Sequence, residues 1–272
     1  MPVALGTEVY NADVPPIVAR GIILTQEEIE AARADRLPDI LTDASGRELL
    51  EEFYSSLELL TDFGQENIAE ALQPIPEEEH STGWHEGEAL AEAWLTDHKD
   101  CDFPWPFNRD LRHHRASLPG ADLVGFIGTE DDSRFAFGQV KTSKEDLYPP
   151  QVINRGDKSL INQSLQLRDD INIKKTLVSY LLHRATLNNG LFEQAKTAAR
   201  KWLQSGFMDI AIFGVLIRDV AHSPRDLAGA ATKLCHGCDS NTRIEFYALY
   251  LPAGSIPEGP QHRPRTRRRR QQ

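Results

Sequence analysis

The residues with the clearest potential for chemistry lie in a predicted β-hairpin within residues 121–143. Its second strand reads "FAFGQVKTS", and the alternation of side chains along a strand places Gln139 and Lys141 on the same face. A lysine is rarely buried without a negative partner, and Asp122 opens the first strand in "GADLVGF". A carboxylate, a second oxygen ligand and a lysine at a hairpin end can hold a divalent cation and an attacking water. An Asp–Lys ion pair at a sheet edge would explain the same residues without catalysis.

A helix that precedes the hairpin can add a second carboxylate. The segment "GWHEGEALAEAWLTDH" is rich in helix formers, and helical spacing puts four residues on one packing face: Gly87, Leu90, Ala91 and Trp94. Glu88 lies at the margin of this face, and Gly87 would let the helix come close to the sheet. Glu86 on the same turn is an alternative carboxylate. A third interpretation is an exposed acidic helix with no functional glutamate.

The remaining elements predict an α/β fold in which helices cover a mixed central sheet. Residues 158–186 are predicted to be helical with a break near 169–172, and "GLFEQAKTAARKWLQSG" is an amphipathic helix closed by Gly206. The segment "FMDIAIFGVLIRD" is a nearly continuous apolar strand, as expected for a strand covered on both faces. A short helix at about 224–234 and the strand "RIEFYALYLP" complete the pattern.

The chain divides by composition into three regions. Residues 1–80 predict an acidic, mainly helical N-terminal region, which includes a helix capped by Thr25 in "LTQEEIEAARADRL". Residues 81–252 hold the predicted core, and residues 253–272 form a predicted disordered, Arg-rich tail.

The charges are distributed unevenly along the chain. Residues 1–100 carry 23 Asp and Glu against 5 Lys and Arg, a net charge of −18. The remaining residues carry 18 Asp and Glu against 25 Lys and Arg, a net charge of +7. This asymmetry indicates nucleic acid or a charged partner, although a solvated acidic surface with a basic tail would have the same charge.

The motif "GAD", followed by a short turn and "GQVKTS", resembles the signature of the PD-(D/E)XK nuclease superfamily, with Asp122 as its aspartate and Lys141 as its lysine. Gln139 replaces the usual acidic residue before the lysine, as in the similar Q-x-K motif of the Mrr-type branch. The helix "GWHEGEALAEAWL" is similar to the one that precedes the hairpin in resolvase-like members, where a metal-binding glutamate occupies the position of Glu88. The resemblance covers about residues 83–251 and implies a restriction-endonuclease-like core flanked by helices.

The resemblance also implies an activity, namely Mg²⁺- or Mn²⁺-dependent hydrolysis of phosphodiester bonds in nucleic acid, with DNA as the expected substrate. The implied metal ligands are Asp122, Glu88, Gln139 and the carbonyl of Val140. Lys141 would stabilise the attacking hydroxide or the transition state. Because a neutral amide binds a hard cation less well than a carboxylate, Gln139 predicts weak metal affinity. The alternative is a catalytically inactive nuclease-like module that binds nucleic acid or a protein.

Polar residues on both sides of the hairpin are candidates for nucleic-acid binding. The segment "FPWPFNRDLRHHRASLPGAD" places basic side chains just before the aspartate, and "TSKED" with the helix after it adds further candidates. The candidates are Arg109, Arg112, His113, Arg115, Lys144 and Gln163. The basic loop could instead form ion pairs with the acidic N-terminal region.

The hairpin with an added N-terminal region resembles the nuclease subunits of bacterial antiviral defence systems, in particular of Hachiman-type systems, which act with a helicase. This resemblance implies a helicase or ATPase partner that docks on the acidic N-terminal region. The lack of a long apolar run and of a signal-peptide pattern predicts a cytoplasmic protein without membrane contact. Cys235 and Cys238 of "CHGC" have too few further ligands for a structural zinc site, and we expect buried, unreactive thiols near a helix end.

Overall fold

The computed structural model describes residues 1–42, 83–104, 120–187 and 189–257 of the 272-residue chain. The strands are β1 (Thr7–Asn11), β2 (Val18–Ile23), β3 (Cys101–Asp102), β4 (Leu123–Ile127), β5 (Arg134–Ser143), β6 (Ile210–Arg218) and β7 (Arg243–Tyr250). The helices are α1 (Gln26–Asp35), α2 (Leu37–Leu41), α3 (Gly83–Lys99), α4 (Gln151–Asn154), α5 (Leu160–Asp169), α6 (Ile171–Leu187), α7 (Phe192–Gln204) and α8 (Arg225–Cys235), with a 3₁₀ turn at Asn189–Leu191. Residues 43–80 of the predicted acidic N-terminal region and the part of the predicted tail beyond residue 257 lie outside the described residues.

The strands form one seven-stranded mixed sheet in the order β1-β2-β7-β6-β5-β4-β3. The four central strands β2, β7, β6 and β5 run parallel, whereas β1, β4 and β3 are antiparallel to their neighbours. The carboxyl ends of the parallel strands therefore lie at one edge of the sheet, and the antiparallel β4 starts toward that edge. This topology places Asp122, which precedes β4, close to Lys141 near the end of β5.

Helices cover both faces of the sheet, which confirms the predicted α/β class. Alternation along β5 sends Phe135 and Phe137 to a core shared with α4 to α8, while Ala136 and Val140 face a second core shared with α1, α2 and α3. All nine residues of β6 are buried, as predicted for a strand covered on both faces. No helix in the described part of the chain is both long and apolar enough to cross a membrane.

The N-terminal region contains strands that the prediction of a mainly helical region did not include. β1 and β2 pair antiparallel, and β2 pairs in parallel with β7 from Val18↔Glu245 to Ile23↔Tyr250. The sheet therefore extends beyond the predicted core of residues 81–252. The helix after Thr25 is confirmed, since the Thr25 hydroxyl accepts the amide of Glu28 and the Glu28 carboxylate accepts the amide of Thr25.

The other predicted elements are confirmed with small shifts of their ends. The predicted break near 169–172 is the boundary between α5 and α6, where Asp170 Oδ1 accepts the amides of Asn172 and Ile173. α7 ends at Gln204, and Gly206 then adopts φ +69°, a left-handed conformation that suits glycine. The β4–β5 hairpin has the predicted strands and turn.

Candidate functional site

Asp122 and Lys141 meet at the open end of the β4–β5 hairpin. Lys141 Nζ lies 3.6 Å from Asp122 Oδ2, and the same oxygen accepts a hydrogen bond from the Val140 amide at 2.8 Å. The Asp122 amide donates to the Gly138 carbonyl at 2.8 Å. The carboxylate thus extends the hydrogen bonding of the hairpin beyond the first residue of β4, which fixes its position. The side chains of Lys141 and Asp122 remain 19% and 21% exposed, so both are accessible to a ligand.

α3 brings Glu88 to the same place because Gly87 packs directly on β5. A Cβ atom at Gly87 would lie 2.2 Å from Thr142 Oγ1, so a side chain there would displace the Thr142 hydroxyl. Glu88 is half-buried, and no other described residue forms a hydrogen bond or ion pair with it. Burial, followed by the charge of Asp122, raises the pKa of Glu88 to about 8, while Lys141 partly opposes this shift. The two carboxylates and the lysine therefore share one electrostatic environment.

Glu86, the alternative carboxylate on this turn, is engaged elsewhere. Arg33 of α1 donates from Nε to Glu86 Oε1 at 2.6 Å, and its Nη2 also donates to the Ser255 carbonyl. This ion pair ties α1, the first turn of α3 and the chain after β7 together. Glu88 is the glutamate of this turn that interacts electrostatically with Asp122 and Lys141.

Gln139 is fully buried beneath this group of charged residues. Its Nε2 donates to the Gly120 carbonyl at 2.8 Å, and its Oε1 is buried with no hydrogen-bond partner among the described residues. An unpaired buried amide oxygen costs free energy, which a bound cation or water would recover. Gln139 Oε1, like the Asp122 and Glu88 carboxylates, is an oxygen donor of the kind that a hard divalent cation prefers. Val140 contributes its amide to Asp122, and its side chain packs in the core.

Within the described ranges, no group of three or more His, Cys, Asp or Glu side chains is arranged to hold a metal ion. Glu88, Asp122 and Gln139 offer two carboxylates and one amide.

Four of the candidate nucleic-acid contacts lie outside the described residues: Arg109, Arg112, His113 and Arg115. Lys144 is exposed just beyond β5, and its Nζ donates to the Ile256 carbonyl at 2.8 Å. Gln163 lies on α5, which packs against β5 and β6, and its Oε1 is buried without a partner among the described residues. The hydrogen bonds and ion pairs of the described residues do not join Gln163 to Asp122 or Lys141.

Sequence reasoning missed Glu92, one helical turn after Glu88. This glutamate is buried, and its charge adds to the raised pKa of Glu88. The spacing of four residues between the two acids on a helix was the available signal.

It also missed a buried polar network at the same edge of the sheet. Arg218 ends β6, and its Nη1 donates to both carboxylate oxygens of Asp226 at 2.9 and 2.7 Å. Tyr250 donates to Asp226 Oδ2 at 2.6 Å, and Tyr10 shares a 2.9 Å hydrogen bond with Tyr250. Arg218 Nη2 donates to the Glu145 carbonyl, so the network holds the chain just after β5, the strand that carries the catalytic candidate lysine. The sequence signals were a charged residue at the end of an apolar strand and an acid in the first turn of the next helix.

No protein-family model matches the chain, and no curated protein matches it. The resemblance to PD-(D/E)XK nucleases therefore depends on the residues of this site.

We expect the stability of the metal-free protein to fall as the pH rises from about 5 to about 8. The pKa of Glu88 is raised from 4.5 to about 8 in the folded protein, so between these values the unfolded chain releases a proton that the folded protein keeps, and rising pH favours unfolding. The contribution of Glu88 to the free energy of unfolding is complete below its pKa in the unfolded chain. It is lost as the pH rises toward its pKa in the folded protein, at up to about 1.4 kcal/mol per pH unit. Urea unfolding between pH 5 and 8 in the presence of a chelator measures it. Glu88→Gln should flatten the curve, and equal slopes for both proteins would contradict the placement of Glu88.

Proposed function

We propose that this chain is a metal-dependent nuclease with a restriction-endonuclease-like core, and that it hydrolyses phosphodiester bonds in nucleic acid, with DNA as the expected substrate. The observation that carries the proposal is the meeting of Glu88, Asp122 and Lys141 at one edge of the sheet. These residues come from a helix, the start of a hairpin and the second strand of that hairpin. An isolated Asp–Lys pair would leave unexplained why Glu88, which has no ion-pair partner among the described residues, shares the electrostatic environment of that pair.

The donor atoms support Mg²⁺ or Mn²⁺ as the cofactor. Glu88 and Asp122 would supply carboxylate oxygens and Gln139 its Oε1, and the cation would offset the burial and the repulsion from Asp122 that raise the pKa of Glu88. When bound, such an ion stabilises charge on phosphate oxygens and makes a water more acidic. The chain itself holds Asp122 in place through the Val140 amide.

Lys141 would bind the negatively charged phosphate. An ammonium group has three N–H donors, and Asp122 lies near one side of this one at 3.6 Å. The remaining donors can bind a phosphate oxygen or the attacking hydroxide as negative charge develops there. Because Arg218 Nη2 donates to the Glu145 carbonyl, the chain just after β5 is held in place.

We also propose that the protein acts with a partner in a bacterial antiviral defence system. The support is the balance of −18 charges in residues 1–100, which repels nucleic acid and suits a basic protein surface such as that of a helicase or ATPase. Gln139 favours a second candidate function, an inactive nuclease-like module that binds nucleic acid or a protein, because it removes one negative charge from the metal site.

Incubation with supercoiled plasmid, single-stranded DNA and RNA, in Mg²⁺, Mn²⁺ or chelator, tests the proposal. We expect cleavage that requires the metal, stops with chelator and returns when metal is added in excess. The assay is repeated with the products of neighbouring genes. Binding of nucleic acid without cleavage under all of these conditions would support the inactive module and reject the nuclease.

Replacing Gln139 with glutamate should tighten Mg²⁺ binding by about tenfold or more, because ligand charge raises the affinity of a site for a hard cation. The new carboxylate also loses the hydrogen bond to the Gly120 carbonyl, so the metal-free variant should be less stable than wild type. Calorimetric titration with Mg²⁺ measures the affinity. Gln166→Glu is the matched control, since it adds the same charge at an exposed position of α5. Equal affinity in Gln139→Glu and wild type would show that Gln139 is not at the metal.

A further inference from the structure

The turn between α8 and β7 brings two cysteines into disulfide range. Cys235 is the last residue of α8, and the Cys238 amide donates to the Cys235 carbonyl at 3.4 Å. His236 has φ −68° and ψ 115°, and Gly237 has φ +75°, which together define a type II turn. The first and fourth Cα atoms of such a turn lie within about 7 Å, and disulfides span about 4.4–6.8 Å. The backbone therefore needs little movement to join the two sulfurs.

Both thiols are half-exposed, whereas we expected them to be buried. The Cys235 Sγ donates to the Thr232 carbonyl at 3.0 Å at the exposed surface, and the Cys238 Sγ has only long contacts, to the Asp239 and Thr242 carbonyls at 3.6 and 3.7 Å. Thiols are weak donors, so these contacts are easily exchanged. Cys101 is the buried thiol of the chain, and its pKa is strongly raised by burial.

Arg168 holds the backbone of the turn in place. Its Nη1 donates to the Leu234 carbonyl at 2.8 Å and to the His236 carbonyl at 2.9 Å, which fixes the backbone on both sides of Cys235. Burial raises the pKa of Cys238, and the positive charge of Arg168 opposes that shift. The held turn and the solvent access of both thiols are the features that favour closure of the pair.

We propose that Cys235 and Cys238 form a redox-active dithiol that closes to a disulfide by exchange with a low-molecular-weight disulfide such as oxidised glutathione. The Cys235 thiolate attacks one sulfur of the small disulfide, forms a mixed disulfide and expels one thiolate. The Cys238 thiolate then attacks the Cys235 sulfur and expels the second. The protein loses two electrons, the small disulfide gains them, and the protons of the two protein thiols pass to the two thiolates released.

This dithiol is independent of the proposed nuclease site. Asp226, in the first turn of α8, pairs with Arg218 at the edge where Lys141 lies, and α8 ends at the opposite edge, where β7 begins. Closure can therefore be measured without reference to cleavage.

Thiol counting on the full chain tests the proposal. The reduced protein is equilibrated with mixtures of oxidised and reduced glutathione, then denatured, alkylated and weighed by mass spectrometry. We expect the alkylated thiols to fall from three to one, with Cys235 linked to Cys238 in the peptide map and full recovery in dithiothreitol. Three alkylated thiols at every mixture, or a disulfide between two chains, would overturn the proposal.

Three variants test which cysteines form the disulfide and whether the turn controls its closure. Cys101→Ser should still close the disulfide, and Cys238→Ser should instead retain glutathione on Cys235, because the resolving thiol is missing. Gly237→Val should slow closure, since a β-branched residue disfavours the positive φ of the turn. Stable glutathione adducts on the wild-type protein, without closure, would reject the dithiol.

Discussion

Asp226→Ala should lower the free energy of unfolding by about 3–5 kcal/mol, because it leaves the Arg218 guanidinium buried without a counter-charge. Both side chains are fully buried, and Arg218 Nη1 donates to both oxygens of Asp226. The other contacts of Arg218 supply no negative charge: it donates to the Glu145 carbonyl and lies 4.9 Å from the centre of the Tyr148 ring. Tyr250 would also lose its acceptor on Asp226. Equilibrium unfolding in urea measures the loss.

Glu193→Ala is the matched control. Glu193 pairs with Lys196 at 3.0 Å on α7, and both side chains are more than half exposed, so water can replace the lost carboxylate. We expect a loss of less than about 1 kcal/mol there. A loss of similar size in both variants would mean that burial does not determine the cost of breaking the Arg218–Asp226 pair.

The sequence predicted the hairpin and α3 because their signals are local. The alternation in "FAFGQVKTS" identifies the faces of β5, and the glycine and glutamate of α3 are adjacent in the chain. The choice between Glu86 and Glu88 was not local. That choice depends on Arg33 of α1, which lies 53 residues before Glu86 in the chain and forms an ion pair with it.

β1, β2 and the buried network escaped prediction for the same physical reason. β2 has six residues, and it is stabilised by pairing with β7, more than 220 residues later in the chain. Tyr10 meets Tyr250 across 240 residues. Short strands carry little periodicity of their own, so their assignment depends on the pairing that buries them.

Lys141→Met should reduce metal-dependent cleavage by about 10²–10³-fold, because it removes a positive charge from the place where negative charge develops on the phosphate. Methionine keeps a long unbranched side chain, so packing is largely preserved. The Asp122–Lys141 pair is partly exposed, and its loss should change the free energy of unfolding by less than about 1 kcal/mol. Single-turnover nicking of plasmid at saturating protein separates the cleavage rate from binding.

Asp122→Asn tests the other half of the pair with the fold preserved. Asparagine can still accept the Val140 amide, as Asp122 Oδ2 does, but it has no charge for a cation. We expect cleavage to fall at least as far as in Lys141→Met, and calorimetry should show weaker Mg²⁺ binding for Asp122→Asn alone. Lys196→Met removes a lysine of the exposed ion pair with Glu193 on α7, so its cleavage rate should stay within about threefold of wild type. If Lys141→Met and Lys196→Met cleave at the same rate, the lysine in β5 is only the partner of Asp122, and the site is a structural ion pair.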